Sequence, residues 1–311
     1  MKRISVYIIT YNQEDVIRRS LESILKQKKW GLYRIVVSDD CSKDKTWSIL
    51  QEYQVKYPDI VEVHRNVHNI GIYPNVQKAV SYLPESDLYC CLAGDDEYCD
   101  GYFEAVQKLV DKENVDTDKA IGIYSDWKFL NPDGSESIFK QDAVLSGHRL
   151  WSLKARGKIS KRSLMWTKKV FEGFEPILEG RGLNLTESHY DAQVQLNIER
   201  AYYIPIVTTI YYAGIGVSKR LNIKESDYLT TQVIEKWNYA KDRYVHNQCD
   251  LHYAQFEIQR AYYYMNPSLK LFFRMAFNYI KGQLPGCRNA LKNSVILFIR
   301  LARYGITKKI V

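Results

Sequence analysis

The chain has 311 residues, 46% hydrophobic and 26% charged, a balance that excludes a disordered or collagen-like polymer and allows a sizeable buried core. Its net charge of +8 does not describe a uniformly basic nucleic-acid binder: ten of the 44 Lys and Arg residues, and none of the 36 Asp and Glu, fall in residues 258–311. The first 257 residues are therefore close to neutral, and no uninterrupted apolar run approaches the ~20 residues of a bilayer span.

Residues 4–10 form a short β-branched apolar run that stops at Asn12, with Glu14 and Asp15 following at once. That is a strand pattern and too short for a secretory leader. Residues 15–26 place Val16, Ile17, Leu21, Ile24 and Leu25 on one helical face. Residues 33–37 read as the next strand, 39–45 as a polar loop, and 46–57 as a helix stopped by Pro58. Residues 60–64 alternate as a strand, and a helix is predicted to begin near Pro74. Residues 88–92 form a buried-strand run broken by Gly94. A helix over 100–112 and a strand over 121–126 follow. Asn131-Pro132-Asp133-Gly134 is a hairpin-type turn that introduces an antiparallel element. Residues 140–220 mix short runs with Gly-rich loops, 191–200 look helical, and from about residue 222 the pattern stays helical. The six cysteines have neither Cys-x-x-Cys spacing nor a His at metal-ligand spacing, so free thiols in a reducing, cytoplasmic compartment are expected.

Strands alternating with helices imply right-handed crossovers and an α/β domain with a mainly parallel, Rossmann-like sheet flanked by helices. Such sheets bind ligands beyond the carboxyl ends of their strands. Three polar clusters fall at predicted strand ends: Thr10-Tyr11-Asn12, Asp39-Asp40 and Gly94-Asp95-Asp96. Adjacent carboxylates repel one another unless a cation relieves them, and few hard oxygen ligands suit Mg²⁺ or Mn²⁺ bridging to phosphate. A polar turn with a helix cap is the plainer reading of either Asp pair taken alone. A carboxylate at Asp39 is able to accept hydrogen bonds from a base N–H or ribose hydroxyls. The glycines of a P-loop or of a dinucleotide fingerprint are absent from both loops.

Taken in order and spacing, Ser-Val-Tyr-Ile-Ile-Thr-Tyr-Asn-Gln-Glu, Val-Val-Ser-Asp-Asp-Cys-Ser-Lys-Asp-Lys-Thr, Asn69-Ile70-Gly71 and Leu-Ala-Gly-Asp-Asp-Glu-Tyr resemble the family 2 glycosyltransferases. The motifs span residues 4 to 100, with a weaker match to about 220. The resemblance implies a GT-A fold, an inverting transfer and a nucleotide-sugar donor, with uracil as the usual base. It implies a GT-A domain over 1–220, with a nucleotide-binding half over 1–125 and an acceptor and catalytic half over 126–220. Thr10, Tyr11, Asn12, Glu14 and Asn69 would line the nucleotide pocket, and Asp39 would bind the base. Asp95 would hold Mg²⁺ or Mn²⁺, with Asp96 beside it on the metal or the donor sugar. The sequence departs from the family pattern at Ala93, where many members carry the first Asp of the motif. The catalytic base falls at Asp191, with Glu187 second, although the usual Glu-Asp pair appears here as Tyr190-Asp191. His189 is a weaker alternative base, and Asp191 is also an ordinary acid for a helix first turn.

Residues 221–311 would form a helical, basic C-terminal region. Lys270, Arg274, Asn278 and Lys281 share a helical stripe, and a second segment over 291–304 surrounds an apolar run with Lys292, Arg300 and Arg303. Two expectations compete for residues 268–311: helices lying on the inner face of the cytoplasmic membrane, or helices packed on the catalytic domain or on a second copy in a homo-oligomer. No nucleic-acid partner is expected. The activity implied is sugar transfer to a saccharide or lipid-linked acceptor in surface polysaccharide synthesis, such as a capsule or O-antigen. The rivals are a nucleotidyltransferase, against which the acidic, Gly-free loop after the first strand argues, and a non-catalytic nucleotide-sugar-binding scaffold, which Ala93 and the incomplete acid pair suggest.

Overall fold

In the computed structural model, the described residues are 1–141, 161–172, 194, 197–215, 248–265, 268–282, 298, 299 and 302. The chain divides into two compact units, Met1–Arg220 and Leu221–Val311.

The first unit is built on a mixed sheet. Its strands are β1 (Ile4–Thr10), β2 (Leu32–Asp39), β3 (Val61–Arg65), β4 (Leu88–Ala93), β5 (Glu97–Tyr98), β6 (Ile121–Leu130), β7 (Glu136–Phe139), β8 (Leu164–Trp166) and β9 (Arg200–Tyr212). They lie in the order β3-β2-β1-β4-β8-β6-β9-β5, with β7 paired to β6. The β3-β2-β1-β4 half is wholly parallel. β1, β2 and β4 are largely buried on both faces and read as near-continuous apolar runs, whereas the outer strand β3 is mostly half-buried and alternates. β8 joins β4 to β6 by antiparallel pairing on each side.

Helices α1 (Ile17–Leu25), α2 (Thr46–Lys56) and α3 (Ile72–Ser81) are the crossovers of that half, and α4 (Tyr102–Glu113) leads from β5 to β6. A four-residue helix, α5 (Lys169–Glu172), follows β8. α1 buries Ile17, Leu21 and Ile24 at helical spacing against a core that includes Ile4, Val6, Ile8, Ile35 and Val37. α4 contributes Phe103, Val106 and Val110 to the same core. α3 opens at Ile72, two residues before Pro74, so the proline sits in the first turn, where its missing N–H leaves no helical bond unmade.

Two expectations about elements change. β2 and β6 run past their predicted ends, to Asp39 and Leu130, because neighbouring strands continue to pair with the residues there. The helix read over 191–200 does not reach Arg200, which opens β9 by pairing with Ile121; Val194 and Asn197 are helical. Asn131-Pro132-Asp133-Gly134 does make the β6–β7 hairpin turn, with Asn131 and Ser135 closing it through a backbone bond of 2.9 Å.

β6 and β9 are parallel, and their register shifts on both sides of Asp126. The slack lies in β9 around Pro205, which has no N–H to offer the ladder. Ser125 Oγ and Thr208 Oγ1 share a hydrogen bond of 2.6 Å across the shift. The end of β9 is thereby carried across to β5, where Glu97 pairs with Ile210 and Tyr98 with Thr209.

In the second unit α6 (Gln248–Met265) and α7 (Leu269–Lys281) pack together around Phe256, Tyr263 and Met275. Ser268 caps α7 by accepting from the Leu271 N–H at 3.3 Å. Among the described residues no helix is long and apolar enough to cross a membrane.

Candidate functional site

β1 lies between β2 and β4 in the parallel half, and its register places the predicted clusters side by side. Thr10 pairs with Asp39 on one flank, and Ile9 with Ala93, the residue before Gly94, on the other. Three sequence-distant loops therefore open at one edge of the sheet.

The loop after β1 and the loop after β2 are clamped together. Asn12 takes a left-handed conformation (φ 52°), and its N–H donates to Ser42 Oγ at 2.9 Å. Its side-chain oxygen accepts from Lys43 N–H at 2.7 Å. Glu14 N–H donates to Asp44 at 3.1 Å, and Glu14 accepts from Lys45 N–H at 2.8 Å. Glu14, read as a nucleotide contact, thus also braces the start of α2. Tyr11 is half-buried beside them.

Asp39 has no exposed surface. Its carboxylate accepts from the Ser42 N–H at 3.1 Å and from the Ser42 hydroxyl, and it pairs with Arg65 Nε at 3.3 Å. Burial pushes its pKa up, against the pull of Ser42 and Arg65. Asp40 has a different task. It accepts from Ile70 N–H (2.8 Å), Gly71 N–H (2.9 Å) and Asn66 Nδ2 (3.0 Å), so it pins the Asn69-Ile70-Gly71 turn. Gly71 stands at φ 89°, a conformation that favours glycine. Asn69 is exposed at the tip of that turn.

The Gly94-Asp95-Asp96 loop is held from below by α1. Ser20 Oγ lies 2.9 Å from Gly94 O and 2.6 Å from Asp96 O, and Ser23 Oγ accepts from Tyr98 N–H at 3.1 Å. Arg19 donates to the Asp95 carbonyl at 2.6 Å and stacks 3.5 Å over the Tyr212 ring. Gln13 accepts from Thr10 Oγ1 at 2.7 Å and hydrogen-bonds the Asp95 side chain. Gly94 makes room for it: a Cβ at this position would stand 2.2 Å from Gln13 Oε1.

Asp96 is buried and Asp95 half-buried. Burial raises both pKa values, that of Asp96 to about 7; Arg162 opposes the rise and the neighbouring Asp95 adds to it. Arg162 Nη1 lies 3.4 Å from Asp96 Oδ2, and Tyr212 N–H donates to Asp96 Oδ1 at 3.4 Å. Arg162 itself rests 3.7 Å over the Tyr211 ring, with Trp127 at 5.5 Å. Two adjacent, electrostatically frustrated carboxylates suit a hard divalent cation. Among the described residues no group of three or more His, Cys, Asp and Glu is placed to hold a metal. A pair of carboxylate ligands fits an ion that completes its shell with phosphate oxygens and water, the habit of Mg²⁺ and of similar small ions.

The structure thus brings together Thr10, Tyr11, Asn12, Glu14, Asp39, Asp95 and Asp96 around the end of β1, with Asn69 on the adjoining turn. Asp191, Glu187 and His189 lie outside the described residues. Gln13, Ser20, Arg19, Arg162 and Tyr212 were not singled out from sequence. Gln13 lies inside the first motif and was within reach; the other four depend on long-range packing.

The model of the family described as Glycosyl transferase family 2 matches residues 5–169. Among curated relatives, the poly(ribitol-phosphate) beta-glucosyltransferase of Bacillus spizizenii is 37% identical over 175 residues, covering 54% of this chain and 26% of its own. The processive diacylglycerol beta-glycosyltransferase of Mycoplasma pneumoniae is 27% identical over 117 residues, 37% of this chain and 34% of its own. The dTDP-rhamnosyl transferase RfbG of Shigella flexneri is 33% identical over 105 residues, 32% of this chain and 36% of its own. The matches therefore span at most about a third of the length of these relatives. Among solved structures, S. aureus TarS 1-349 in complex with UDP-GlcNAc superposes with a TM-score of 0.61 at 15% identity, over 98% of this chain and 88% of that one. This likeness is one of fold, and the GT-A architecture implied by the motifs is the one observed.

Proposed function

Because the chain belongs to glycosyl transferase family 2, we propose that it moves a sugar from a nucleotide-sugar donor, UDP-linked, to a saccharide or lipid-linked acceptor with inversion at the anomeric carbon. The observation that carries this reading is the meeting of Thr10, Asp39 and Gly94-Asp95-Asp96 at the ends of three adjacent parallel strands.

Asp39 receives the base N–H, and Thr10, Tyr11, Asn12, Glu14 and Asn69 line the nucleotide. Asp95 and Asp96 face the diphosphate end and would hold Mg²⁺ or Mn²⁺. When bound, such an ion neutralises charge on the departing diphosphate. Asp191, with Glu187 as the second candidate, takes the proton from the acceptor hydroxyl as that oxygen attacks the anomeric carbon. The new bond forms on the face opposite the breaking bond to phosphate, which inverts the configuration.

Two relatives are named for transfer to poly(ribitol-phosphate) and to diacylglycerol, which supports a surface polymer or a lipid as acceptor. The site of action proposed is the inner face of the cytoplasmic membrane, reached through residues 268–311, in assembly of a polysaccharide such as a capsule or O-antigen. A scaffold without catalysis is the second reading, favoured by Ala93 at the place of the first motif acid. Cells carrying Asp95→Ala separate the two, since a scaffold would leave glycan assembly unchanged.

The direct test is a thermal-shift screen of nucleoside diphosphates and nucleotide sugars, with and without Mn²⁺. A ligand at 100 times its Kd stabilises the native state by roughly 2.7 kcal/mol. A UDP-sugar should raise Tm, and more so with Mn²⁺. No shift with any nucleotide sugar would sink the proposal.

A further inference from the structure

α7 is divided along its length into three faces. One face packs on α6. Met275 is fully buried, Phe256 and Tyr279 have ring centroids 4.7 Å apart, and Asn278 Nδ2 donates to Gln259 Oε1 at 3.0 Å. A second face carries Leu269, Phe273, Phe277 and Ile280, which are 72%, 67%, 55% and 61% exposed. At 3.6 residues per turn these four fall within an arc of roughly 80°. Lys270, Arg274 and Lys281 form the third face, exposed and directly beside the apolar ridge. Lys281 Nζ stands 5.9 Å over the Phe277 ring.

Scattered exposed apolar residues are ordinary, but four large ones aligned on one short helix are not. Water is a poor neighbour for the ridge. A second copy is a poor one too: an antiparallel two-fold pairing of ridge on ridge brings the basic rows together, a parallel one leaves each row without a counter-charge from the facing helix, and residues 258–311 contain no acid to supply one. An anionic bilayer satisfies both faces, taking the ridge into the acyl boundary and the cations among headgroup phosphates.

We infer that α7 is the membrane-contacting element, and that its partner is a bilayer surface bearing anionic phospholipid headgroups. This deepens the membrane location proposed above and rests on it, but it does not depend on the identity of the donor. The basic row lies at the edge of the inserted face, so salt weakens attachment, while the ridge sets how deeply the helix settles.

The experiment is co-sedimentation of the full chain with vesicles of phosphatidylcholine alone and of phosphatidylcholine mixed with phosphatidylglycerol, without nucleotide. Binding to the anionic vesicles should exceed binding to neutral ones at least ~10-fold and fall with added salt. Lys270→Gln/Arg274→Gln/Lys281→Gln should weaken it by roughly 100-fold, from about fivefold per cation. Phe273→Ser/Phe277→Ser should abolish it. All five side chains are exposed, so unchanged melting of both variants accompanies the expected result; if the Phe variant misfolds, the charge variant and the salt series decide. Equal binding to both vesicle types, or none to either, overturns the inference. So does a concentration-dependent dimer in vesicle-free solution that Phe273→Ser/Phe277→Ser dissolves while vesicle binding persists. A nucleotide thermal shift on the same preparation reports separately on the donor site.

Discussion

The guanidinium of Arg162 lies 3.4 Å from the Asp96 carboxylate and stacks on Tyr211, bringing a residue 66 positions away to the proposed donor site. A buried acid beside a second acid needs positive charge nearby, and Arg162 supplies part of it. If the diphosphate binds at Asp95 and Asp96 as proposed, the same cation would help to hold it. Arg162→Met is expected to weaken metal-free binding of UDP by about tenfold, in line with loss of one charge-assisted hydrogen bond. Calorimetry with UDP in chelator reads this directly, and an unchanged Kd would remove Arg162 from the donor site.

The pKa of Asp96, raised to about 7, has a signed consequence. A folded-state value above the unfolded one means the native state binds the extra proton. Its contribution to stability is full below the ordinary carboxylate range and is lost as pH rises through about 7. Asp96→Asn removes that loss. In the absence of metal and nucleotide, the variant should melt a few degrees above wild type at pH 8, and the gap should close toward pH 4, for about 1 kcal/mol or more of relief. A gap that does not change with pH would contradict the assignment.

Metal binding should follow the same proton in the opposite sense. The Asp96 proton must leave before the carboxylate coordinates, so Mn²⁺ affinity in the presence of UDP should fall as pH drops below about 7. Electron paramagnetic resonance of free Mn²⁺ measures it. The slope should approach tenfold per pH unit and should flatten in Asp96→Asn.

Gly94→Ala tests the close approach at the end of β4. The added Cβ would stand 2.2 Å from Gln13 Oε1 and 3.1 Å from Ile17 Cδ1. Gln13 must swing away and abandon both Thr10 and Asp95, while Ile17 lies in the core. Overpacking of this kind costs roughly 1–3 kcal/mol. Denaturant unfolding should show that loss, together with weaker UDP binding.

The adjacent acids Asp39 and Asp40 should separate by readout. Asp40→Ala strands the Ile70 and Gly71 N–H groups and leaves Asn66 Nδ2 only its bond to Asn75, and should cost roughly 2–4 kcal/mol of stability. Asp39→Asn keeps an acceptor for the Ser42 N–H but loses the charge, and its principal effect should be on base recognition, about 10-fold or more in the Kd for UDP against that for ribose phosphate. Equal effects of the two variants on UDP binding would merge roles that the hydrogen bonds keep apart.

The parallel half was legible because its signals are local. The apolar runs of β1 and β4, the face of Ile17, Leu21 and Ile24, and the polar residues that end each strand all lie in short windows. The predicted strand over 33–37 stops short of Asp39 because Ser38 and Asp39 look like loop, yet β1 pairs with both, through Ile9 and Thr10. Arg200 reads as a helix end, and only its pairing with Ile121 makes it a strand. Arg162 and Tyr212 escape notice for a stronger reason. Their positions depend on the register shifts of β9 opposite Asp126 and on a ring stack between elements about 50 residues apart in sequence, and no periodicity records either.

Ser20 gives the proposed donor site a temporal character. Its single hydroxyl sits between two carbonyls of the Gly94-Asp95-Asp96 loop, on a helix whose apolar residues Ile17, Leu21, Ile24 and Leu25 are sealed in the core. The loop's freedom is thus surrendered when α1 docks, long before a ligand arrives. Binding then meets a rigid template, and the conformational entropy that a floppy acidic loop would lose on each encounter has already been lost during folding. Substituting Ser20 would return that loss to the moment of binding, as slower capture with an unchanged set of contacts.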